Sequence, residues 1–312
     1  MKILFVSSGN KKETISTLVY DQGESIKRTD FDLNYYTIVG KGLPGYFKNI
    51  FKLRNYIKNN KVDVVHAHYS LSGFVAALSG AKYLVVSLMG SDVKQNWLWR
   101  IVIKFFISFF WDACIVKATD MQKSLKIKNT SVIPNGVNMK LFLPLSKEEA
   151  QKQLGWNLNS NHILFAADPD RQEKNFILAN KAFNLLPYKN TEIHFLKNVL
   201  KSEVHYFYSA SDIILLTSLW EGSPNVIKEA MACNRPIVAT NVGDIKRLFG
   251  DTDGCYLASF KAENVKDKLI KAMEFSKKEG NTLGRNRIIE LGLDSETIAN
   301  EIINVYKTVL TS

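Results

Sequence analysis

Three cysteines, seven prolines and no long hydrophobic run narrow what this chain can be. Cys114, Cys233 and Cys255 stand at unrelated spacings, too scattered for a disulfide framework or a cysteine metal site, which points to a reducing, cytoplasmic compartment. The opening Met1-Lys2-Ile3-Leu4-Phe5-Val6-Ser7-Ser8-Gly9 turns polar too soon for a secretory signal and reads as a first buried strand. The most apolar stretch, Trp97–Trp111, is broken by Arg100 and Lys104. Its longest uncharged run, Phe105–Trp111, falls far short of the ~20 residues needed to cross a bilayer. A largely buried helix is the reading favoured there, with a helix lying on a membrane surface as the alternative. Low-complexity tracts are absent as well.

The remaining composition is globular: 312 residues, 46% hydrophobic and 23% charged, enough chain for two domains with their own cores. The net charge of +11 is lopsided. Residues 1–140 hold 20 Lys and Arg against 9 Asp and Glu, whereas residues 141–312 hold 21 of each sign. The first half therefore faces something anionic: phospholipid, nucleic acid or a phosphorylated substrate. Nucleic acid is the weakest of the three, because no aromatic-and-basic recognition motif accompanies the charge. Within Lys41–Lys61 the residues Tyr46, Phe47, Ile50, Phe51, Leu53, Tyr56 and Ile57 form a helical apolar stripe among Lys48, Lys52, Arg54 and Lys58. Such a helix docks on an anionic membrane or packs on its own sheet.

Short apolar runs alternate with amphipathic segments throughout, the pattern of parallel α/β units. Strands are predicted at Ile3–Ser7, Leu33–Val39, Val62–His66, Tyr83–Ser87, Ala113–Val116 and Ser131–Ile133. A second series follows at Ile163–Ala166, Glu192–Leu196, Ile213–Leu216 and Pro236–Ala239. The turn cluster Pro134-Asn135-Gly136-Val137-Asn138 divides the two series. The expected domains are 1–140 and 141–295, with a last helix near 296–312 returning to the first. Doubly wound domains bind ligands at the carboxyl ends of their strands.

The most informative stretch is Leu219-Trp220-Glu221-Gly222-Ser223-Pro224-Asn225-Val226-Ile227-Lys228-Glu229. Ser223 as N-cap and Pro224 as first helical residue would leave the amides of Asn225 and Val226 pointing out of the helix, a phosphate site. Glu229 would lie roughly 9 Å down the axis at 1.5 Å per residue, near the ribose of a nucleotide whose phosphate sits at the cap. Glu221 would stand beyond the phosphate, beside an attached sugar. A capped surface helix with two solvated carboxylates is the plain alternative.

Other candidates are weaker alone. Arg171 and Lys174 follow a strand and suit a leaving diphosphate; an ordinary charged loop is the alternative. Asp168-Pro169-Asp170 has the D-x-D form of a metal site, but its cationic neighbours argue for charge neutralisation without metal. His66 and His68 point to one side of a strand, and His68, at its end, is the better candidate for a cleft group, with a satisfied structural histidine as the alternative. Leu88-Met89-Gly90-Ser91-Asp92 follows another strand: Gly90 admits close approach of a substrate, and Asp92 either touches it or caps a helix.

The segment E-x7-E, continued by Ala230–Asp244, resembles the retaining glycosyltransferases of family four, which have the GT-B fold. Val62–His68 with Gly73, Ile133–Val137 with Phe142, and Ala210-Ser211-Asp212 extend the resemblance along the chain. It implies two Rossmann-like, doubly wound α/β domains facing each other across a cleft. It also implies transfer of a hexosyl or N-acetylhexosaminyl unit from a nucleotide-sugar, here a UDP-sugar, to a glycan or polyprenyl-linked acceptor in surface polysaccharide synthesis. A nucleotide-sugar epimerase or phosphorylase of the same fold is the alternative. Carried onto this chain, Glu229 binds the ribose and Glu221 the sugar. Ser223, Pro224, Asn225 and Val226 hold the diphosphate with Gly9, Lys174 and Arg171, His68 joins Glu221, Lys174 and Arg171 as a catalytic candidate, and Met89, Gly90 and Asp92 line the acceptor side. No metal or cofactor is implied, and the enzyme would sit on the inner face of the cytoplasmic membrane. Three departures stand out: the first loop is reduced to Ser8-Gly9-Asn10, Met89 replaces the family's histidine, and Pro169 replaces its arginine.

Overall fold

The computed structural model describes all residues except 10–14, 28, 30, 41, 91, 93–96, 128, 129 and 312. Asn10, Lys41 and Ser91, named above, lie outside the described residues. Two compact units are present: Met1–Gly136 together with Ser295–Ser312, and Val137–Asp294. The chain passes from the first to the second within the Pro134–Asn138 turn cluster.

In the first unit, strands β1 (Lys2–Ser8), β2 (Asp32–Ile38), β3 (Val64–His68), β4 (Leu84–Leu88), β5 (Ala113–Val116) and β6 (Thr130–Val132) alternate with helices. These are α1 (Thr17–Lys27), α2 (Gly42–Asn60), α3 (Ser70–Leu78), α4 (Trp97–Phe109) and α5 (Thr119–Leu125). The strands form one parallel sheet in the order β2-β1-β3-β4-β5-β6. Strands β3 and β4 are buried along their whole length, with His66, His68 and Ser87 the polar residues among their apolar ones. Gly73 on α3 is required by packing: a Cβ there would lie 2.9 Å from both Trp111 and Val86.

The second unit begins with α6 (Lys147–Leu154) and β7 (Asn161–Phe165), followed by a 3-10 turn at Gln172–Lys174, α7 (Phe176–Asn184) and β8 (Thr191–Phe195). Next come α8 (Val204–Ala210), β9 (Ile213–Leu216), α9 (Asn225–Ala232), β10 (Ile237–Thr240), α10 (Ile245–Phe249) and β11 (Cys255–Ala258). Helices α11 (Ala262–Lys278) and α12 (Gly284–Glu290) close the unit, and α13 (Ser295–Thr311) belongs to the first. The second sheet is also parallel, in the order β11-β10-β9-β7-β8. Both sheets reverse strand order about a central strand, the doubly wound arrangement.

Helix α13 is wedged into the first unit by a buried polar contact. Tyr306, with no exposed surface, meets His66 Nδ1 through its hydroxyl at 2.6 Å, and Ser87 Oγ meets His66 Nε2 at 2.8 Å. His66 and His68 stack at 4.4 Å, so the alternation along β3 does place them on one side.

Helix α4 is not largely buried. Trp97, Leu98, Ile101, Val102, Phe105 and Phe109 are exposed, Phe109 at 72%, while Ile103, Phe106 and Ile107 pack inward. The helix carries a second apolar face that is exposed among the described residues. In α2 most of the stripe packs on the sheet: Leu53 is buried and Tyr46, Ile50, Tyr56 and Ile57 join the core, leaving Phe47 and Phe51 exposed. Arg54 is tied to α3 by donating to the carbonyls of Leu78 and Ser79 at 2.9 and 3.3 Å.

Candidate active site

Three loops at the carboxyl edge of the second sheet, those following β7, β9 and β10, are stitched together by short hydrogen bonds. Thr217 Oγ1 donates to the carbonyls of Lys174 and Asn175, and the Leu219 amide donates to Glu173. Thr240 Oγ1 donates to Ser218, and the Asp244 amide to Gly222. Gly243 has φ +59, and a Cβ on it would lie 2.2 Å from the Gly222 carbonyl, so only glycine lets these two loops touch.

This frame brings Lys174 and Glu221 together. Lys174, 9% exposed, donates from Nζ to Glu221 Oε1 at 2.6 Å, and Ser218 Oγ donates to the same oxygen at 2.7 Å. A lysine and a glutamate 47 residues apart in sequence thus form one shielded ion pair at the strand ends. Helix α9 begins immediately beyond Glu221. Its N-cap is Pro224, with ψ 121° and no side-chain cap, so the expected assignment of Ser223 as cap and Pro224 as first helical residue is shifted by one position. The first intrahelical bond runs from Lys228 N to Pro224 O, leaving the Asn225, Val226 and Ile227 amides outside the helical ladder. The Ser223 hydroxyl beside them is buried next to the Asp244 carboxylate. Amides outside the ladder at a helix N-terminus suit an anionic ligand.

Glu229 lies one turn further along α9. Its Oε2 accepts from the Tyr208 hydroxyl at 2.9 Å, and burial pushes its carboxyl above the usual carboxylate range. Lys228, missed by sequence reasoning, has no exposed surface, and burial lowers its ammonium to about 8 against the attraction of Asp244 and Glu229. Its signal was available: Pro224, Met231 and Ala232, at i−4, i+3 and i+4, put it on an apolar face. Asp244 is itself raised by burial.

Arg171 is not part of this pair. Its side chain is 57% exposed and its Nε donates to Glu173 at 2.8 Å, so a near neighbour in the same loop takes the charge expected for a diphosphate. Lys197 pairs with Asp170 and lies 4.0 Å from Asp168, and the Asp170 amide donates to Asp168 Oδ1; both D-x-D carboxylates therefore face a cation.

The first unit carries the other expected positions, and several are already occupied. The Gly9 amide donates to Ile38 O at 3.0 Å, so it is not offered to a phosphate. Asp92, 3% exposed, accepts from the Ser70 amide and hydroxyl on Oδ1 and from the Met89 amide on Oδ2, all within 2.9 Å. It pins the start of α3 to the loop after β4, a structural use of the carboxylate expected on the acceptor side. Gly90 has φ +104 with open space where a Cβ would stand. His68 is wholly buried, and burial together with Lys117 holds its ring well below the usual histidine value. Both of its nitrogens lack a hydrogen bond, so it stands as a neutral ring inside β3 and not as an open cleft group.

The family model "Glycosyltransferase Family 4" matches residues 26–141, and "Glycosyl transferases group 1" matches residues 159–274. Among curated relatives, the Bacillus subtilis putative teichuronic acid biosynthesis glycosyltransferase TuaC is 28% identical over 60% of this chain and 55% of its own. An Escherichia coli UDP-Gal:alpha-D-GlcNAc-diphosphoundecaprenol alpha-1,3-galactosyltransferase is 27% identical over 62% of each chain. This chain therefore spans somewhat over half the length of these two relatives. A Campylobacter jejuni N,N'-diacetylbacillosaminyl-diphospho-undecaprenol alpha-1,3-N-acetylgalactosaminyltransferase is 22% identical over 84% of this chain and 81% of its own. Among solved structures, sucrose-phosphate synthase from Thermosynechococcus elongatus superposes with a TM-score of 0.84 at 16% identity over the whole of both chains. Anabaena HepE in complex with UDP gives 0.78 at 15% identity, covering 99% of this chain and 100% of its own. At such identities the structures speak for the fold, and that fold is GT-B.

Proposed function

Because this chain belongs to the family-four glycosyltransferases, we propose that it transfers a hexosyl or N-acetylhexosaminyl unit from a UDP-sugar, with retention of anomeric configuration, to a lipid-linked saccharide in surface polysaccharide synthesis. The observation that carries this reading is the shielded Lys174–Glu221 pair set before the free amides of α9, with Glu229 one turn behind them. Lys174 and the amides stabilise the charge that grows on the departing diphosphate. Glu221 turns its second oxygen toward the positive character developing on the sugar. Glu229 accepts from the ribose hydroxyls. The donor base and the diphosphate-undecaprenol acceptor are carried over from the E. coli relative's activity. A metal has no necessary part in this scheme, since a lysine and a helix N-terminus supply the positive charge.

The test is a thermal-shift panel of UDP-, GDP- and ADP-sugars followed by product NMR. A UDP-sugar at a hundredfold excess over Kd stabilises by about 2.7 kcal/mol, and the product's anomeric coupling matches the donor's. Inverted product, or turnover abolished by EDTA and restored by magnesium, overturns the scheme.

On the same reading the first unit takes the acceptor and docks on an anionic membrane, as a peripheral protein of the cytoplasmic face. No helix among the described residues is long and apolar enough to cross a membrane. The exposed face of α4 supplies apolar contact, and the basic half supplies attraction worth about 1 kcal/mol per lysine near the headgroups. In liposome flotation, Phe105→Ser with Phe109→Ser lowers binding more than ~10-fold, because burying a phenylalanine is worth about 1.5–3 kcal/mol. Lys48→Glu with Lys52→Glu lowers it further at low salt, and activity on a soluble acceptor is unchanged. Unaltered flotation in the double serine variant moves the docking face off α4.

A further inference from the structure

At the opposite end of the second sheet from Lys174 and Glu221, three side chains on neighbouring strands converge. His162 is the second residue of β7, and Glu192 and His194 are the second and fourth of β8. His162 is paired in register with Glu192, and His194 lies two residues along, so all three share one face of the sheet. Their ligand atoms form a small triangle: His162 Nδ1 to His194 Nε2 is 2.9 Å, His162 Nδ1 to Glu192 Oε2 is 4.0 Å, and His194 Nε2 to Glu192 Oε2 is 3.8 Å. A triangle with these sides contains a point about 2.1 Å from every corner, within the ~2.0–2.2 Å range of zinc–nitrogen and zinc–oxygen bonds.

We propose that His162, Glu192 and His194 bind a divalent zinc ion, which clips the edge strand β8 to β7. Two imidazoles and a carboxylate are a donor set that zinc accepts with a fourth position left for water. Glu192 is 43% exposed and His194 18%, so that position opens to solvent.

The surroundings are those of a metal site. His162 Nε2 lies 2.8 Å from the Asn157 carbonyl, so Nε2 carries the proton and Nδ1 offers its lone pair, which accepts from His194 Nε2 at 2.9 Å in the metal-free structure and would turn to zinc once His194 shifts its proton to Nδ1. Metal-ligating histidines characteristically anchor their second nitrogen this way. The His194 ring is stacked flat on Trp156 at 3.5 Å with 9° between planes, which fixes its direction. The nearby acid Asp212 is already engaged by Lys147 and the His162 amide, leaving Glu192 as the carboxylate ligand.

The experiment uses the untagged full chain, stripped with a chelator and titrated with zinc chloride by calorimetry, and with cobalt as a spectroscopic substitute. The wild type takes up one zinc per chain, gives an intense visible cobalt spectrum of low coordination number, and melts roughly 5–10 °C higher at a hundredfold excess over Kd. Glu192→Gln and His194→Ala, at partly exposed positions, keep the fold and lower zinc affinity at least tenfold. Absence of saturable one-to-one binding in the wild type overturns the proposal, and so does unchanged affinity in either variant. Turnover is not the readout, so this test stands or falls apart from the transferase reading.

Discussion

Replacing Lys174 with alanine is expected to lower kcat by about 10²–10³, the loss seen when one preorganised charge-stabilising donor is removed. The expectation rests on its 2.6 Å contact with Glu221 and on its near-complete burial, where a charge acts with little screening. Arg171→Ala is expected to cost less than about tenfold, because an exposed guanidinium already paired to Glu173 has little left to give. The two variants are compared at saturating donor, with melting temperature recorded for each, since Lys174→Ala also strands the Glu221 carboxylate. A Lys174→Met variant retains side-chain bulk and separates the loss of charge from the loss of packing. Equal falls in kcat at 171 and 174 would return Arg171 to the diphosphate and show that its loop rearranges when donor binds.

The second large effect is expected at Glu229. Alanine there should weaken UDP binding by roughly 10–100-fold, the worth of hydrogen bonds to a charged group at ~1.5–3 kcal/mol. Stability falls too, because the fully buried Tyr208 hydroxyl loses its acceptor and Lys228 loses a nearby counter-charge. Calorimetry with free UDP reads the first effect and urea unfolding the second. The pH dependence has a definite sign. Burial raises the Glu229 carboxyl, so the carboxylate proposed to accept from ribose is lost at a higher pH than for an ordinary glutamate, and wild-type affinity is expected to decline as pH drops through that range. Glu229→Ala removes this part of the pH profile. Identical UDP affinity in wild type and variant would detach Glu229 from the nucleotide.

How much of this was legible in the sequence depends on which property each residue expresses. Ten of the eleven strands among the described residues could be placed to within about two residues, because buried parallel strands announce themselves as β-branched apolar runs between turn residues. Cys255–Ala258 escaped notice: it is four residues long, sits at the sheet edge and is only partly buried, so neither length nor hydrophobicity sets it apart. The Glu221–Glu229 spacing was readable because it is local, contained in one loop and one helix. The Lys174–Glu221 pair was foreseen as two separate parts, but the contact depends on β7 and β9 being neighbours, which no local pattern states. The same limit explains Asp92 and Gly9, whose partners Ser70 and Ile38 come from other connections. Helix α4 failed for a different reason: an apolar face tells that something must cover it, and the cover need not belong to the chain. The His162, Glu192 and His194 cluster was invisible because its members come from two strands whose register is a property of the folded sheet.

The order in which the chain emerges during synthesis gives Tyr306 a further consequence. The second unit is continuous from Val137 to Asp294, whereas the first needs Ser295–Ser312 before its core is whole. On a ribosome the first sheet must therefore wait, with His66 lacking its phenol partner, while the whole of the second unit is translated and can fold. Translation at ~5–20 residues per second puts that interval at roughly 8–30 s. A stop codon or protease cut just before Ser295 should leave the second unit native-like and the first without its Tyr306–His66 contact.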